Sequence, residues 1–294
     1  MRRHPSLLPI AATVLAIAVF SVMDALMKRA SSASGVYGAL LLRSLLAGSV
    51  MGLVWRGRGG RWPGRAALRL HLLRGVVAAG MAASFFYGLV RTPMAQGMAL
   101  SFIAPLLALY LAAVHLGEQL RRAAVFGSLL ALAGVAAIAA DRVGAARLDG
   151  EAVIGIAAIL FSAVLYAWNL VLQRRQAQLA SPVEVAFFQN LVVAAALAPA
   201  FPLLWQPLAP GVPADVALGA LLATISLMLL AWAYARAEAQ VLVPIEYTAF
   251  VWAALMGWLW FDEALTPATI FGVALIVIGC WLATRAPKTA PASG

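Results

Sequence analysis

The sequence is poor in charged residues, which make up 11% of its 294 residues, whereas a soluble domain has about 25%. Hydrophobic residues account for 64%, which is the composition of a membrane protein. The net charge of +10 does not indicate a nucleic-acid-binding protein, because the basic residues are spread over short loops rather than gathered on one soluble face. We therefore expect the lipid bilayer, and no nucleic acid, as a partner.

Residues that carry catalytic or metal chemistry are also scarce. The chain has three histidines and a single cysteine, Cys280, which we interpret as a structural filler. It contains no HExxH or GxSxG motif and no close pair of carboxylates inside a predicted span, so we expect no metal site, no cofactor and no enzyme activity. It also lacks the P-loop pattern GxxxxGK[ST], so nothing in it supports coupling to ATP.

What the chain does contain is long apolar runs. A helix needs about 17 to 25 apolar residues to cross a hydrocarbon core about 30 Å thick. Ten runs are long enough. They lie near 7–27, 35–54, 70–90, 94–115, 123–140, 151–172, 183–204, 215–235, 240–261 and 266–283. The sequence therefore predicts an all-α polytopic membrane protein with ten transmembrane helices.

The basic residues indicate the orientation of these helices. With the N-terminus placed in the cytoplasm, fourteen of the 21 basic residues fall in cytoplasmic segments and five on the far side, while Arg43 and Arg74 lie inside spans. Such a bias is the positive-inside pattern. We expect a bacterial inner-membrane protein with both termini in the cytoplasm, and a first span that is retained rather than cleaved as a signal peptide.

The chain also contains an internal repeat. The stretch from Pro105 to Gly134 is matched by Phe250 to Gly279, and the same offset of 145 places Asn169 over Asp24. Because each copy has five spans, an odd number, the second copy enters the membrane inverted, and a substrate site is expected between the copies. We predict a first repeat at 1–142, a linker at 143–150, a second repeat at 151–285 and a cytoplasmic tail at 286–294.

Small residues and prolines mark expected packing faces and bends. Gly127 and Gly134 in the fifth span, like Gly272 and Gly279 in the tenth, are seven residues apart and share a helix face. Small residues let helices approach closely in a bilayer, so these spans should contact each other or a second protomer in a homodimer. Pro105 and Pro244 each remove a backbone hydrogen bond and favour either a moving kink or a static bend.

Three ionisable side chains lie deep in predicted spans, where each needs a partner, a water-filled cavity or a function. Asp24 can pair with Lys28 one helical turn later. Arg43 can pair with Asp24 or receive a substrate carboxylate. Glu246 has no cation at helical spacing in its own span, so we expect it to bind a substrate ammonium group or, like Asp24, to take part in proton coupling.

Neutral polar and aromatic residues complete the set of candidates for a substrate site. Helix–helix hydrogen bonding or contact with lipid explains any one of them as well. A lining that mixes aromatic faces with a few charges suits an amphipathic or zwitterionic solute. The candidates are Arg43, Tyr87, Gln96, Ser101, Tyr166, Trp168, Asn169, Gln189, Trp232, Glu246 and Tyr247.

The repeat resembles a known family. Each half ends in an apolar helix, a turn with Gly117-Glu118 or Asp262-Glu263, and a final helix with spaced glycines. This pattern resembles the EamA repeat of the drug/metabolite transporter superfamily, and the whole chain is similar to the YddG-type amino-acid exporters of bacterial inner membranes. The resemblance implies that the third, fourth, eighth and ninth spans line the transport path.

These observations lead to a functional hypothesis. We expect a secondary transporter that exports small amphipathic metabolites, chiefly amino acids including aromatic ones, by alternating access between the repeats. Two alternatives remain open at this point. One is a carrier that exports or imports another small solute, such as a drug, a nucleobase or a sugar. The other is a channel or a protein like a lipid scramblase.

Overall fold

A computed structural model of the chain describes residues 7–92, 94–101, 103–116, 122–143, 150–261 and 267–284. These residues form α-helices and two short 3₁₀ segments, Ala198–Ala200 and Val243–Tyr247. The helices are α1 (Leu7–Ser34), α2 (Val36–Gly57), α3 (Arg65–Leu89), α4 (Met94–Ser101), α5 (Ile103–Leu116), α6 (Arg122–Val143), α7 (Gly150–Ala177), α8 (Pro182–Leu197), α9 (Phe201–Leu204), α10 (Val212–Arg236), α11 (Ala239–Leu242), α12 (Thr248–Phe261) and α13 (Pro267–Thr284).

The helical segments cover the ten predicted spans. Among the described residues, six stretches are long and apolar enough to cross a membrane, and they correspond to α1, α2, α3, α7, α8 with α9, and α10. The fourth, fifth, ninth and tenth spans are covered by shorter described stretches in α4 with α5, α6, α11 with α12, and α13. Helices satisfy their own backbone hydrogen bonds, as the bilayer requires. The predicted fold class, an all-α polytopic membrane protein, is confirmed.

The contacts between helices repeat under the offset found in the sequence. In the second repeat, α7, α8, α10 and α13 occupy the places of α1, α2, α3 and α6. The contact of α1 with α10 accordingly recurs as that of α7 with α3. The contacts of α2 with α8 and of α6 with α13 each join a helix to its own counterpart. This pattern is the one expected for two inverted repeats around a pseudo-twofold axis.

The fifth and tenth spans pack against each other through their glycines. A Cβ atom added to Gly134 would lie 2.5 Å from the carbonyl oxygen of Gly272, and one added to Gly279 would lie 2.5 Å from that of Gly127. Only glycine allows backbones to approach this closely. The sequence left two partners open for this face, and within this chain the face is filled by the other repeat. A homodimer stays a prediction.

A single residue separates the first two helices. Gly35 has a φ of +81°, in the region that favours glycine, and it directly links the end of α1 to the start of α2. The carbonyl of Ser31 accepts a hydrogen bond from its N–H at 2.9 Å. This tight reversal places α2 antiparallel beside α1, so that Asp24 and Arg43 face the same cavity.

The ninth span changes its helix type where it passes the cavity. Val243–Tyr247 forms a 3₁₀ segment with Pro244 in its first turn, and α11 and α12 flank it. A proline lacks the N–H that a continuing helix would use, which accounts for an irregular turn here. The segment carries Glu246 into the interior, where 3% of the residue is exposed. Pro105 lies buried in α5, and movement at either proline stays a prediction.

Several predicted features lie outside the described residues. They are the turns at Gly117-Glu118-Gln119 and Asp262-Glu263, most of the linker at 143–150, and the tail at 286–294. The side chain of Cys280 also lies outside them.

Candidate substrate cavity

A cavity of about 190 Å³ lies between the two repeats. Phenylalanine and methionine side chains form much of its wall, with Phe20, Phe85 and Phe86 among them. Its polar lining comes from both repeats: Ser21, Asp24, Arg43, Arg74, Ser101, Ser162, Tyr166, Asn169, Gln173, Gln189, Asn190 and Glu246. A small solute placed here would meet both signs of charge beside aromatic rings.

Glu246 forms an acidic centre in this cavity. Its Oε2 accepts a hydrogen bond from the hydroxyl of Tyr166 at 2.5 Å, and its Oε1 accepts one from the hydroxyl of Tyr234 at 3.3 Å. The two tyrosines belong to α7 and α10, so the carboxylate links three spans of the second repeat. Hydroxyl donors stabilise a buried carboxylate only in part. A cationic group of a solute would complete its environment.

Asp24 and Arg43 face the cavity without forming an ion pair. Among the described residues no cation lies within 4.0 Å of the Asp24 carboxylate, so the expected pairs with Lys28 and Arg43 are not formed. The ammonium group of Lys28 instead donates to the carbonyl of Thr92 at 3.1 Å. Arg43 Nη1 contacts Met23 Sδ at 3.3 Å, and its Nε has no hydrogen-bond partner in the part of the chain that the structure describes. Both side chains therefore keep capacity to bind a solute.

Arg74 joins α3 to α7 through side-chain amides. It is 1% exposed. Its Nε donates to Asn169 Oδ1 at 3.1 Å, its Nη2 donates to Gln173 Oε1 at 2.6 Å, and its Nη1 donates to Gln176 Oε1. All three acceptors are neutral, so the positive charge is solvated by dipoles rather than by an anion.

The hydrogen bonds around Arg74 continue through Gln176 away from the cavity, toward the predicted cytoplasmic end. Gln176 Nε2 lies 2.7 Å from His71 Nδ1, and His71 Nε2 lies 3.1 Å from Glu184 Oε1. A neutral histidine with its proton on Nε2 satisfies both contacts. The imidazole also stacks on Phe188, with ring centroids 4.6 Å apart. These contacts link α3, α7 and α8.

The structure places the predicted site residues in three groups. Arg43, Ser101, Tyr166, Asn169, Gln189 and Glu246 line the cavity together with Asp24. Tyr87, Trp168, Trp232 and Tyr247 lie elsewhere, and the side chain of Gln96 lies outside the described residues.

The four aromatic residues outside the lining have other contacts. Tyr87 and Trp168 are 39% and 38% exposed, consistent with contact with lipid. The guanidinium of Arg91 lies 3.6 Å from the ring centre of Tyr87, and His115 packs edge-on against Trp168. Arg236 stacks on Trp232, and Tyr247 is fully buried in the hydrophobic core.

Sequence reasoning did not select Arg74 and Gln173 as candidates, although it offered a signal for each. Arg74 is a cation inside an apolar span, which by itself points to function. Gln173 occupies the position of Lys28 in the repeat. The lining is also wider than the resemblance implied, because the first, second, sixth and seventh spans contribute to it as well.

Comparison with known proteins identifies the family. The sequence profile of the EamA-like transporter family matches residues 7–140 and 153–285, once in each half of the chain. The chain belongs to the EamA-like transporter family. It is thus a multi-pass membrane transporter for a small-molecule substrate, and the predicted membership of the drug/metabolite transporter superfamily is confirmed.

Individual relatives of this EamA-family chain include exporters. It is 29% identical to the pseudopaline exporter CntI of Pseudomonas aeruginosa over 94% of this chain and 95% of that one. It is 29% identical to a probable terminal-alkyne amino-acid exporter of Streptantibioticus cattleyicolor, over 85% of this chain and 84% of that one. A solved crystal structure superposes with a TM-score of 0.75 and 26% identity, covering 94% of this chain and 96% of that one.

Proposed function

We propose that this EamA-family protein is a secondary exporter of small zwitterionic metabolites, chiefly amino acids, including aromatic ones. The observation that carries the proposal is the cavity between the repeats, where carboxylates, guanidinium groups and phenyl rings come together. A carboxylate suits an ammonium group, and an arginine suits a carboxylate. Two relatives named as exporters, one of them of an amino acid, support the direction and the class.

The size of the cavity supports a small solute. Its volume of about 190 Å³ is below the roughly 300–1,000 Å³ of sites for drug-sized ligands. Phe20, Phe85 and Phe86 supply apolar surface for a side chain. Multidrug export is therefore a weaker explanation than export of a single small metabolite.

Alternating access between the inverted repeats is the transport mechanism that we propose. Rocking of one repeat against the other would expose the cavity first to one side of the membrane and then to the other. Glu246 is the proposed proton-coupling group, with Asp24 as a second carboxyl in the same cavity. Glu246 is faced by Tyr166 from α7 and Tyr234 from α10, whose hydroxyls can donate to it in its ionised form.

The experiment uses the purified full-length chain in liposomes loaded with radiolabelled amino acids. A panel of aromatic, aliphatic and charged amino acids is followed for efflux, with and without an inward proton gradient. We expect saturable efflux that unlabelled substrate competes for and that the proton gradient accelerates. The variants Glu246→Gln and Arg43→Ala should each lower the rate at least tenfold, and residual efflux by Glu246→Gln should not respond to the gradient.

Glu151→Gln is the matched control, because Glu151 pairs with Arg91 at the exposed end of α7, and its side chain is 69% exposed. It should transport at the wild-type rate. If no amino acid leaves the liposomes while the protein stays folded, the substrate class is wrong and nucleobases, sugars and drugs are tested next. Efflux that does not saturate would favour a channel.

We also propose that the protein lies in the bacterial inner membrane with both termini in the cytoplasm. The bias of basic residues toward one side supports this orientation. A green fluorescent protein fused to the C-terminus should fluoresce in cells, whereas an alkaline phosphatase fused there should be inactive. The reverse pattern would contradict the orientation.

A further inference from the structure

The cavity contains two arginines, and their surroundings differ. Arg43 shares the cavity with Asp24 without pairing to it, and its Nη1 contacts Met23 Sδ. Arg74 instead donates to three side-chain amides, and within the described part of the chain no carboxylate lies within ion-pair distance of its guanidinium. A buried charge that lacks a counter-ion is costly, and the fold keeps one at the wall of the cavity.

The surroundings of Arg74 leave room for an anion. A guanidinium has five N–H donors, and three hydrogen bonds are made, to Asn169, Gln173 and Gln176. Two N–H groups therefore remain, and the side chain lines the cavity. The amide nitrogen of Gln173 is also buried, with no hydrogen-bond partner among the residues that the structure describes. These donors form an incomplete shell that a carboxylate would complete.

The internal repeat also supports an anion site at Arg74. Asn169 occupies the position that Asp24 has in the first repeat. An aspartate in place of Asn169 would put an anion where Oδ1 now lies, 3.1 Å from Arg74 Nε, and would neutralise the guanidinium from within the protein. The amide holds the arginine in the same place and leaves its charge available.

We infer that Arg74, held by Asn169 and Gln173, is the specificity-determining site for the carboxylate of the transported solute, while Glu246 and Asp24 receive its ammonium group. The inference rests on the proposed transport of a carboxylate-bearing solute and adds the residue that selects it. Arg43, which lines the same cavity as Asp24 without pairing to it, then balances the charge of Asp24 at a distance.

The test separates the two ends of a zwitterion with three probes: L-phenylalanine, 3-phenylpropionate, which lacks the amine, and 2-phenylethylamine, which lacks the carboxylate. Affinities are measured for the purified full-length protein from quenching of its tryptophan fluorescence. We expect Arg74→Gln to weaken binding of 3-phenylpropionate and L-phenylalanine about tenfold or more, and to change binding of 2-phenylethylamine less than threefold.

Asn169→Asp is a second variant, for the case that Arg74→Gln does not fold, because it keeps the shape of the side chain. It should produce the same selective loss, because the new carboxylate competes with the carboxylate of the probe. Arg29→Gln is the matched control, since Arg29 is exposed at the end of α1, where its side chain is 60% exposed. All three probes should bind this control as they bind wild type.

Three binding results and one transport result would overturn the inference. One is wild-type protein that binds the amine but neither carboxylate probe. Another is an equal loss of affinity for all three probes in both Arg74→Gln and Asn169→Asp, which would mean that Arg74 and its amide partners have only a structural role. The third is loss of carboxylate binding in Arg43→Gln with retention in both other variants. The transport result is amino-acid efflux that persists in Arg74→Gln and Asn169→Asp, which would contradict this inference alone. Absence of efflux by the wild-type protein would instead contradict the proposed function.

Discussion

The contact of α3 with α7 and the contact of α1 with α10 are equivalent under the internal repeat, yet they are built differently. In the α3–α7 contact the backbones nearly touch, because a Cβ on Gly88 would lie 2.5 Å from the carbonyl oxygen of Gly155. In the α1–α10 contact a Cβ on Gly219, a glycine of α10 at a different position in the repeat, would lie 3.3 Å from Met27 Sδ, near the end of a flexible side chain. The same architecture thus has one close contact and one that can adjust.

Their polar contacts differ in the same sense. Arg74 ties α3 to α7 with three buried hydrogen bonds, whereas Arg29 and Asp215 tie α1 to α10 by an ion pair at an exposed end. Asp24, on α1, makes no ion pair with any of the described residues. An inverted repeat therefore imposes the same positions on both contacts but leaves their chemistry free to diverge, and four substitutions test the divergence.

The largest effect is expected for Gly88→Ala. The added methyl group would lie 2.5 Å from the carbonyl oxygen of Gly155 and 2.5 Å from Ile159 Cγ1. A backbone atom cannot move aside as the end of a flexible side chain can. Overpacking costs typically 1–3 kcal/mol, and we expect about 3 kcal/mol here. The readout is the thermal midpoint of the protein in detergent. An unchanged midpoint would mean that α3 and α7 are less closely packed than described.

An intermediate effect is expected for His71→Phe. The new ring keeps the stacking on Phe188 but cannot bond Gln176 or Glu184, and Gln176 is 1% exposed. An unsatisfied buried polar group costs about 1–3 kcal/mol, so we expect destabilisation by about 2 kcal/mol in the same melting experiment. His71→Gln, which can still donate and accept, should recover part of the loss. Wild-type stability of the phenylalanine variant would show that the chain of contacts does not hold α3 to α7 and α8.

A small effect is expected for Gly219→Ala, the glycine substitution in the α1–α10 contact. Met27 can shift by a few tenths of an ångström, and alanine is favoured over glycine in a helix by about 1 kcal/mol. We expect a change of less than about 1 kcal/mol in either direction, read from the same melting curves. Destabilisation as large as that of Gly88→Ala would erase the distinction between the two contacts.

The smallest effect is expected for Asp215→Asn. The variant removes one charge of the Arg29–Asp215 pair, which is exposed on the arginine side. Exposed ion pairs contribute about 0–1 kcal/mol, so the thermal midpoint should shift by a degree or two at most and less still in high salt. A loss comparable with that of His71→Phe would show that the α1–α10 contact depends on this pair.

Much of the fold could be predicted from the sequence because its causes are local. The sequence shows apolar runs of spanning length, the repeat offset of 145 residues and the paired glycines Gly134 and Gly279. The relation between Asp24 and Asn169 was visible as well. These features depend on spacing along the chain, which a sequence displays directly.

The site could be predicted only in part because it depends on how each helix is rotated. Spans that are apolar all round give no preferred face, so Trp168 and its neighbour Asn169 were equal candidates. In the structure Asn169 is 4% exposed and lines the cavity, whereas Trp168 is 38% exposed and does not. For the same reason the amide partners of Arg74 could not be assigned without the packing of α3 on α7.

The most direct test of the proposed transport is the accessibility of one cavity residue from both sides of the membrane. Ser101→Cys, made in a Cys280→Ser background, places a single thiol at the cavity wall, and Ser128→Cys, fully buried in α6, is the control. We expect membrane-impermeant maleimides to label Ser101→Cys from either side, more slowly in the presence of the transported amino acid, and to leave the control unlabelled. Labelling that the amino acid does not slow, or that occurs from one side under every condition, would contradict a substrate cavity exposed alternately to the two sides.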